Sequence, residues 1–236
     1  MLDCGCNCDA RVIADYIERE LGLKPSAPRL GVASHAHPDH MGGAGRLRRE
    51  HGFQIAASKE INGWYQGLSG SIQQWIDIEL AQFVARSLRR PRQDLAYPRT
   101  VETDHILVDG RPLPGFEDWL AFLAPGHTDH DVVLYNQESE LLYAGDIIVK
   151  VGGKYTLPIP MILRRRMFSS FEKIKHLKVK KLALAHSELH EVRSFREIVE
   201  GLQEQLQNES YGFWQKTATA AQHFSPALRL AKKRGD

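Results

Sequence analysis

The chain has 236 residues, of which 42% are hydrophobic and 25% charged, and its formal net charge at pH 7 is +2. These proportions are ordinary for a globular protein, and the length is sufficient to bury a sizeable core. The nearly balanced charge does not favour a nucleic acid or an acidic membrane as a partner. No stretch approaches the roughly 18 consecutive apolar residues of a membrane span, and the first residues do not resemble a secretory signal. We therefore expect a cytoplasmic protein.

Three cysteines near the start form a C-x-C-x-C run, at Cys4, Cys6 and Cys8. Structural zinc sites usually space their paired ligands more widely and take four ligands, and the chain has no further cysteine. We expect reduced thiols that are incidental to the structure, with metal binding as the alternative.

The first sixty residues alternate between helical and strand-like patterns. Apolar residues recur at helical spacing in two segments and form short uninterrupted runs in two others. In chain order these patterns predict a helix over 9–22, a strand over 30–33, a helix over 44–51 and a strand over 53–57. Two prolines, Pro25 and Pro28, separate the first helix from the first strand.

A longer amphipathic helix is predicted from Ser71, a suitable N-cap, to a stop at Pro91. It belongs to a helical insert at about 59–104. Its apolar residues share one face, and the helix either packs on the sheet with this face or belongs to a lid over the substrate. These apolar residues are Ile72, Trp75, Ile76, Leu80, Phe83, Val84 and Leu88.

Beyond the insert, short apolar runs alternate with turn-forming segments such as DGRPLPG and NQES, a pattern typical of consecutive β-strands. Helical periodicity returns near Phe168 to Leu177, and the strand KLALA follows. C-terminal helices are predicted from about 193, at 193–207 and 213–232. Because no repeat or linker-like stretch interrupts the chain, we expect residues 1–236 to form a single domain.

The segment SHAHPDHMGG, residues 34–43, concentrates three histidines and an aspartate directly after a predicted strand. Three more ligand-type residues lie within or just after apolar runs: His127, Asp146 and His186. Each alone is more often a hydrogen-bonded core residue. Residues from several strand ends, however, can converge at one edge of a sheet and build a metal site on rigid elements.

The succession H-x-H-x-D-H, G-H-T, G-D and a final histidine after a strand resembles the metallo-β-lactamase superfamily of hydrolases. The resemblance begins at Asp3, in a D-x-G segment, and runs to about His186. It implies an α+β fold, the four-layer αββα sandwich of that superfamily. Members usually have further strands before the D-x-G segment, so we expect either a reduced N-terminal sheet or a natural chain that starts before Met1.

The resemblance also implies a dinuclear centre of two divalent metal ions. Zinc is favoured, but imidazole and carboxylate ligands also suit iron or manganese. His190 is a rival for the last ligand position, because Ser187 stands where members commonly have glycine. The implied ligands are His35, His37 and His127 for the first ion, Asp39, His40 and His186 for the second, and Asp146 as the bridge.

The implied chemistry is hydrolysis by a metal-bridging hydroxide, with Asp39 orienting it and relaying a proton as the catalytic residue. An aspartate at position 146 resembles the thioesterase, lactonase and phosphodiesterase branches, whereas β-lactamases commonly have Cys or Ser there. We therefore expect a small-molecule ester, thioester or lactone as substrate. The alternatives are a phosphodiesterase, a mononuclear iron enzyme like the sulfur dioxygenases of this superfamily, and a metal-binding protein without catalysis.

Two aromatic residues, Trp64 and Tyr65, lie in the glycine-rich segment before the predicted long helix. The segment follows the histidine-rich loop in the chain, and its glycines are suited to a hinge. We expect Trp64 or Tyr65 to contact the non-reacting part of the substrate; the alternative is that both pack in the core. No nucleic acid or membrane partner is expected, and the sequence predicts no particular oligomeric state.

Overall fold

The computed structural model describes residues 1–159, 161 and 163–208. The chain divides into two compact units, Met1–Ile106 and Leu107–Asp236. The helix predicted over 213–232 lies outside the described residues. A single domain over 1–236 stays a prediction. In the described ranges, no helix has both the length and the apolar character that crossing a membrane requires.

The first unit is built on a parallel sheet of three strands in the order β1-β2-β3. A 3-10 turn at Ile61–Gly63 precedes its longest helix. β1 is buried along its whole length, as expected of a parallel strand covered on both faces. Its elements are α1 (Asp9–Arg19), β1 (Leu30–Ala33), α2 (Pro38–Met41), α3 (Ala44–His51), β2 (Gln54–Ala57), α4 (Gly67–Ser87) and β3 (His105–Ile106).

The predicted elements before residue 58 are confirmed, with shifts at their ends. α1 ends at Arg19 rather than at residue 22, and β2 begins at Gln54 rather than at Phe53. The sequence did not predict α2, a single turn of helix inside the histidine-rich segment. Proline is well suited to the first position of such a turn, because its missing N–H would have no partner there.

The long helix α4 buries polar residues rather than its apolar ones. It begins at Gly67, before Ser71, and its buried residues are Gly70, Gln73, Asp77 and Gln82. On the apolar face, by contrast, Trp75 is 63% exposed and Phe83 is 68% exposed. The alternative in which Trp75 and Phe83 pack on the sheet is therefore wrong. Hydrogen bonds to its buried polar side chains hold this helix, and periodicity alone does not reveal them.

The second unit contains a six-stranded sheet in the order β11-β10-β7-β6-β5-β4 and a separate hairpin of β8 and β9. Strands β7 and β10 run parallel, and the other neighbouring pairs are antiparallel. The elements are β4 (Arg111–Leu113), β5 (Phe116–Leu123), β6 (Val132–Asn136), β7 (Leu141–Tyr143), β8 (Val149–Val151), β9 (Lys154–Thr156), α5 (Arg164–Ile174), β10 (Lys181–Ala183), β11 (His190–Glu191) and α6 (Phe195–Gln207).

The core of this unit joins the central strands to α5 and α6. Leu142 and Leu182 from β7 and β10 are fully buried in one cluster with Phe171 of α5 and Val199 of α6. Ser194 caps α6, and its side chain accepts a hydrogen bond from the backbone N–H of Glu197. This packing holds β7 and β10 rigidly, and both strands lead directly into predicted ligands.

Candidate metal centre

The histidine-rich segment follows β1 and runs through α2. His35 and His40 are each 1% exposed. The Nε2 atom of His35 lies 3.0 Å from the Nδ1 atom of His37. Two nitrogens bound to one tetrahedral zinc ion, each at about 2.0–2.1 Å, are separated by about 3.3 Å. The spacing of these two nitrogens therefore suits a shared metal ion.

Asp3, the aspartate of the D-x-G segment, holds this loop from inside the first unit. Its Oδ1 accepts the backbone N–H of Ser34 at 2.7 Å, and its Oδ2 accepts the Ser34 hydroxyl at 2.9 Å. The same Oδ2 lies 2.7 Å from Nδ1 of His40. A ring nitrogen that faces a carboxylate carries the proton, so Nε2 of His40 is the nitrogen suited to bind a metal. That Nε2 lies 3.6 Å from Oδ2 of Asp39, the residue predicted to share the second ion with it.

The glycine pair that ends the segment allows a close approach of two backbones. Both Gly42 and Gly43 have ordinary helical angles, so no need for positive φ explains them. A Cβ atom on Gly43 would lie 2.2 Å from the carbonyl oxygen of Cys4. The backbone of Cys4 in turn donates to the carbonyl oxygen of His40 at 2.8 Å. The absence of a side chain at Gly43 therefore lets the D-x-G segment pack against the histidine-rich segment.

The three cysteines are free thiols, as expected. Burial raises the pKa of Cys4 to about 12, and it also raises the pKa values of Cys6 and Cys8. Thiols with raised pKa values are weak metal ligands and weak nucleophiles at neutral pH, because the thiolate is the reactive form.

In the second unit, Asp146 and His186 occupy equivalent positions after two neighbouring parallel strands. Tyr143 of β7 and Ala183 of β10 are paired in register. Asp146 and His186 each lie three residues beyond that pair. Because the two strands run in the same direction, their carboxyl ends lie at the same edge of the sheet, and both side chains reach one place there.

The carboxylate of Asp146 lies between two histidines of its own unit. Its Oδ1 is 3.3 Å from Nε2 of His186, and its Oδ2 is 3.9 Å from Nε2 of His127. Each oxygen thus faces a different imidazole. In this position the carboxylate would be able to share a metal ion with each of the two histidines.

Asp131, which sequence reasoning missed, shapes the loop that carries His127. Its Oδ2 accepts the backbone N–H groups of Gly126 at 3.0 Å and Thr128 at 2.7 Å, and its Oδ1 accepts the Thr128 hydroxyl at 2.7 Å. Burial raises the pKa of Asp131 to about 7 although these donors act in the opposite direction. The available signal was the close spacing of short polar residues, which favours bonds from side chain to backbone in turns.

The sequence model of the metallo-beta-lactamase superfamily matches residues 1–186, a range that contains all the residues described above. The chain belongs to the metallo-β-lactamase superfamily. Most members of this superfamily are metal-dependent hydrolases. No curated protein sequence matches the chain.

Solved structures of the metallo-β-lactamase fold match this chain as well. The metallo-beta-lactamase family protein TTHA1429 from Thermus thermophilus is 19% identical, with a TM-score of 0.60 over 87% of this chain and 70% of that one. FIM-1 from Pseudomonas aeruginosa, in a mono-zinc form, is 16% identical, with a TM-score of 0.59 over 89% and 79%. TTHA1623 in a di-iron-bound form is 19% identical, with a TM-score of 0.55 over 80% and 82%. These identities are low, so the matches show the fold alone, and they confirm the predicted fold class.

The last ligand position of the superfamily falls on His186 or His190, and their contacts differ. Nε2 of His190 lies 2.7 Å from Oγ of Ser187, and its Nδ1 lies 3.3 Å from Nζ of Lys150. Both ring nitrogens of His190 are thus engaged by other groups. His186 instead faces the predicted bridging carboxylate. These contacts favour His186, which stays a prediction.

Separate alanine variants test this choice. We expect His186→Ala to lower the number of metal ions bound per chain, because it removes an imidazole that faces Asp146. His190→Ala should leave that number unchanged. Metal analysis of both purified variants measures the difference, and a greater loss in His190→Ala would assign the last ligand to His190.

Trp64 and Tyr65, the predicted substrate contacts, are 8% and 1% exposed. The ring of Trp64 lies 6.5 Å from the ring of His37, measured between centroids. The hydroxyl of Tyr65 donates to Oδ2 of Asp77 at 2.9 Å. Contact with the substrate stays a prediction for both residues, and the structure also places Tyr65 in a buried hydrogen-bond network.

Proposed function

We propose that the chain is a metal-dependent hydrolase with a dinuclear centre that acts on a small ester, thioester or lactone. The observation that carries the proposal is the carboxylate of Asp146, whose two oxygens face His127 and His186 separately. A site for one ion needs no such bridge. This arrangement therefore favours two ions over the single iron of the oxidative alternative.

The proposed ligands are those that the superfamily motif implies. His35, His37 and His127 would hold the first ion, Asp39, His40 and His186 the second, and Asp146 would join them. Five imidazoles and two carboxylates form a donor set that suits zinc, and equally iron or manganese. We propose zinc first; among the matched structures, FIM-1 is a mono-zinc form and TTHA1623 a di-iron form.

Bound ions of this kind lower the pKa of a coordinated water to about 7 and polarise a carbonyl or phosphoryl oxygen. The residues of the chain position and assist this chemistry. The side chain of Asp39 is 37% exposed, so a substrate can reach its carboxylate, which is suited to accept and return a proton. Asp3 fixes the ring of His40, and Asp131 fixes the loop of His127.

Charge limits the substrates that this centre would attract. Two divalent ions carry four positive charges, and the carboxylates of Asp39 and Asp146 offset two of them. The remaining positive charge favours a neutral or anionic substrate. The net charge of +2 supplies no extended basic surface for a nucleic acid, so we propose a small molecule and keep the cytoplasm as the predicted location.

Metal analysis together with a substrate panel tests the proposal. Protein purified without added metal should contain two ions per chain, with zinc predominant. It should hydrolyse members of an ester, thioester and lactone panel faster than phosphodiesters or β-lactams. His35→Ala should lose metal and activity but remain folded, whereas the matched control His105→Ala should retain both, because its ring contacts Gln54 instead.

Three other outcomes would contradict parts of the proposed function. One iron per chain with consumption of oxygen would support the oxidative alternative. Failure to bind zinc, iron or manganese after reconstitution would overturn the metal centre itself. Full metal occupancy in His35→Ala would refute the assignment of the first ion.

A further inference from the structure

Asp77 is a buried carboxylate on α4, 8% exposed, and the superfamily motif does not include it. Its Oδ2 accepts the Tyr65 hydroxyl at 2.9 Å, and its Oδ1 accepts the side-chain N–H of Gln73 at 2.8 Å. The Nε2 atom of His37 lies 3.7 Å from Oδ2, which is longer than a direct hydrogen bond but close enough for the carboxylate to attract a proton on that nitrogen. The inward polar face of α4 therefore places a negative group beside the histidine-rich segment of the same unit.

Burial of this carboxylate is costly unless positive charge compensates it. Tyr65 and Gln73 provide hydrogen bonds but no charge. The ring of His37 provides a polar N–H when neutral, and that N–H becomes more positive when the other ring nitrogen binds a cation. The free energy of burying Asp77 is therefore linked to the state of His37.

The two nitrogens of His37 face different partners. Nδ1 lies 3.0 Å from Nε2 of His35, on the side where a shared ion would sit. Nε2 lies on the side of Asp77. If Nδ1 is to bind a metal, the proton of the ring must reside on Nε2, and a nearby carboxylate favours that tautomer.

A pair of buried tyrosines ties this carboxylate to the backbone of the histidine-rich segment. The hydroxyl of Tyr97 donates to the carbonyl oxygen of Ala36 at 2.8 Å and lies 3.2 Å from the hydroxyl of Tyr65. Burial raises the pKa values of both tyrosines, so both stay protonated and keep donating at neutral pH. The network thus spans Ala36 to Asp77 through rigid aromatic side chains.

We propose that Asp77 is the positioning residue of His37: its carboxylate holds the ring in the tautomer and orientation in which Nδ1 binds the first metal ion. This role rests on the proposed metal centre. It also accounts for the burial of polar rather than apolar residues on α4, because Asp77 must face inward to reach His37. Tyr65 and Gln73 act by holding the carboxylate in place.

Zinc alone is the probe for the test, with affinity measured by competition against a chelator. Asp77→Asn keeps the size of the side chain but removes its charge, and we expect a 10–100-fold weaker affinity for zinc, as is typical when an outer partner of a ligand is lost. Asp77→Glu should restore part of the affinity. Tyr65→Phe removes one donor to the carboxylate and should weaken zinc binding less than Asp77→Asn does.

Nitrogen NMR of the histidine rings gives a second readout that needs no metal. In the metal-free protein, Asp77→Asn should shift His37 away from the Nε2–H tautomer. A matched control is Gln82→Leu, which removes another buried polar side chain of α4 whose amide bonds to the carbonyl of Gln93. It should leave both the His37 tautomer and the zinc affinity unchanged.

The possible results separate the two proposals. If the wild-type protein bound no zinc, the metal centre would fail, while the tautomer of His37 would still decide the role of Asp77. Wild-type affinity and an unchanged tautomer in Asp77→Asn would overturn that role. If Asp77→Asn did not fold, Tyr65→Phe would decide it, and wild-type zinc affinity together with an unchanged His37 tautomer in that variant would count against the proposal.

Discussion

Replacing Asp146 by alanine should remove at least one metal ion per chain and most of the turnover, while the protein remains folded. Its carboxylate faces His127 with one oxygen and His186 with the other, so its loss affects the partners of both proposed ions. We expect activity to fall by more than about 100-fold, beyond the 10–100-fold typical for loss of an outer partner. Metal analysis and kcat/KM measure the effect.

A matched control shows whether the effect belongs to the site. Asp109 is an aspartate of the same unit whose carboxylate pairs with Nζ of Lys173 at 2.9 Å near the surface. Such exposed pairs contribute about 0–1 kcal/mol, so Asp109→Ala should keep metal content and activity. Unchanged metal stoichiometry in Asp146→Ala would instead make Asp146 a structural residue.

The ligand-type residues were predictable because their chemistry is local to the sequence. His127, Asp146 and His186 stand out as polar residues next to apolar strands, and the structure places each of them beside such a strand. The equivalence of Asp146 and His186 was not predictable. It depends on the parallel pairing of β7 with β10, two strands separated in the chain by the β8–β9 hairpin and α5.

The orientation of α4 could not be read from its sequence. Periodicity identifies the residues that share a face, but it does not tell which face points inward when both can be accommodated. Here the inward face is chosen by hydrogen bonds to groups outside the helix, such as that from Tyr65 to Asp77 and that from Gln82 to the carbonyl oxygen of Gln93. For the same reason the sequence did not indicate Asp77. Its proposed role depends on its proximity to His37, which is forty residues away in the chain.

The hairpin of β8 and β9, in contrast, has a signal in the sequence that the analysis of strand patterns did not detect. Gly152 and Gly153 connect the strands and have φ angles of +56° and +80°. Two consecutive glycines between short strand-forming runs favour the type I′ turn, which requires positive φ at both positions. The runs Val149–Val151 and Lys154–Thr156 are only three residues each, and so they gave a weak strand signal.

Replacing Gly43 by alanine should destabilise the protein and weaken metal binding together. The new Cβ would lie 2.2 Å from the carbonyl oxygen of Cys4 and 3.0 Å from that of Cys6. Both obstacles are backbone atoms, so a rotation of a side chain cannot relieve the clash. Overpacking of this kind typically costs about 1–3 kcal/mol and occasionally more, and we expect the upper end.

The effect should reach the proposed metal centre because the backbone that must move also supports His40, a proposed ligand. The N–H of Cys4 donates to the carbonyl oxygen of His40, and the neighbouring Asp3 holds the ring of His40. Chemical denaturation of the metal-free protein measures the loss of stability, and zinc competition measures the weaker metal binding.

The control is Gly45→Ala in α3, whose Cβ would meet only the flexible end of Arg49 at 3.3 Å. That variant should be neutral or more stable by up to about 1 kcal/mol, because alanine favours the helix. Equal stabilities for the two variants would show that the contact between the D-x-G and histidine-rich segments can relax, and that Gly43 is not needed for it.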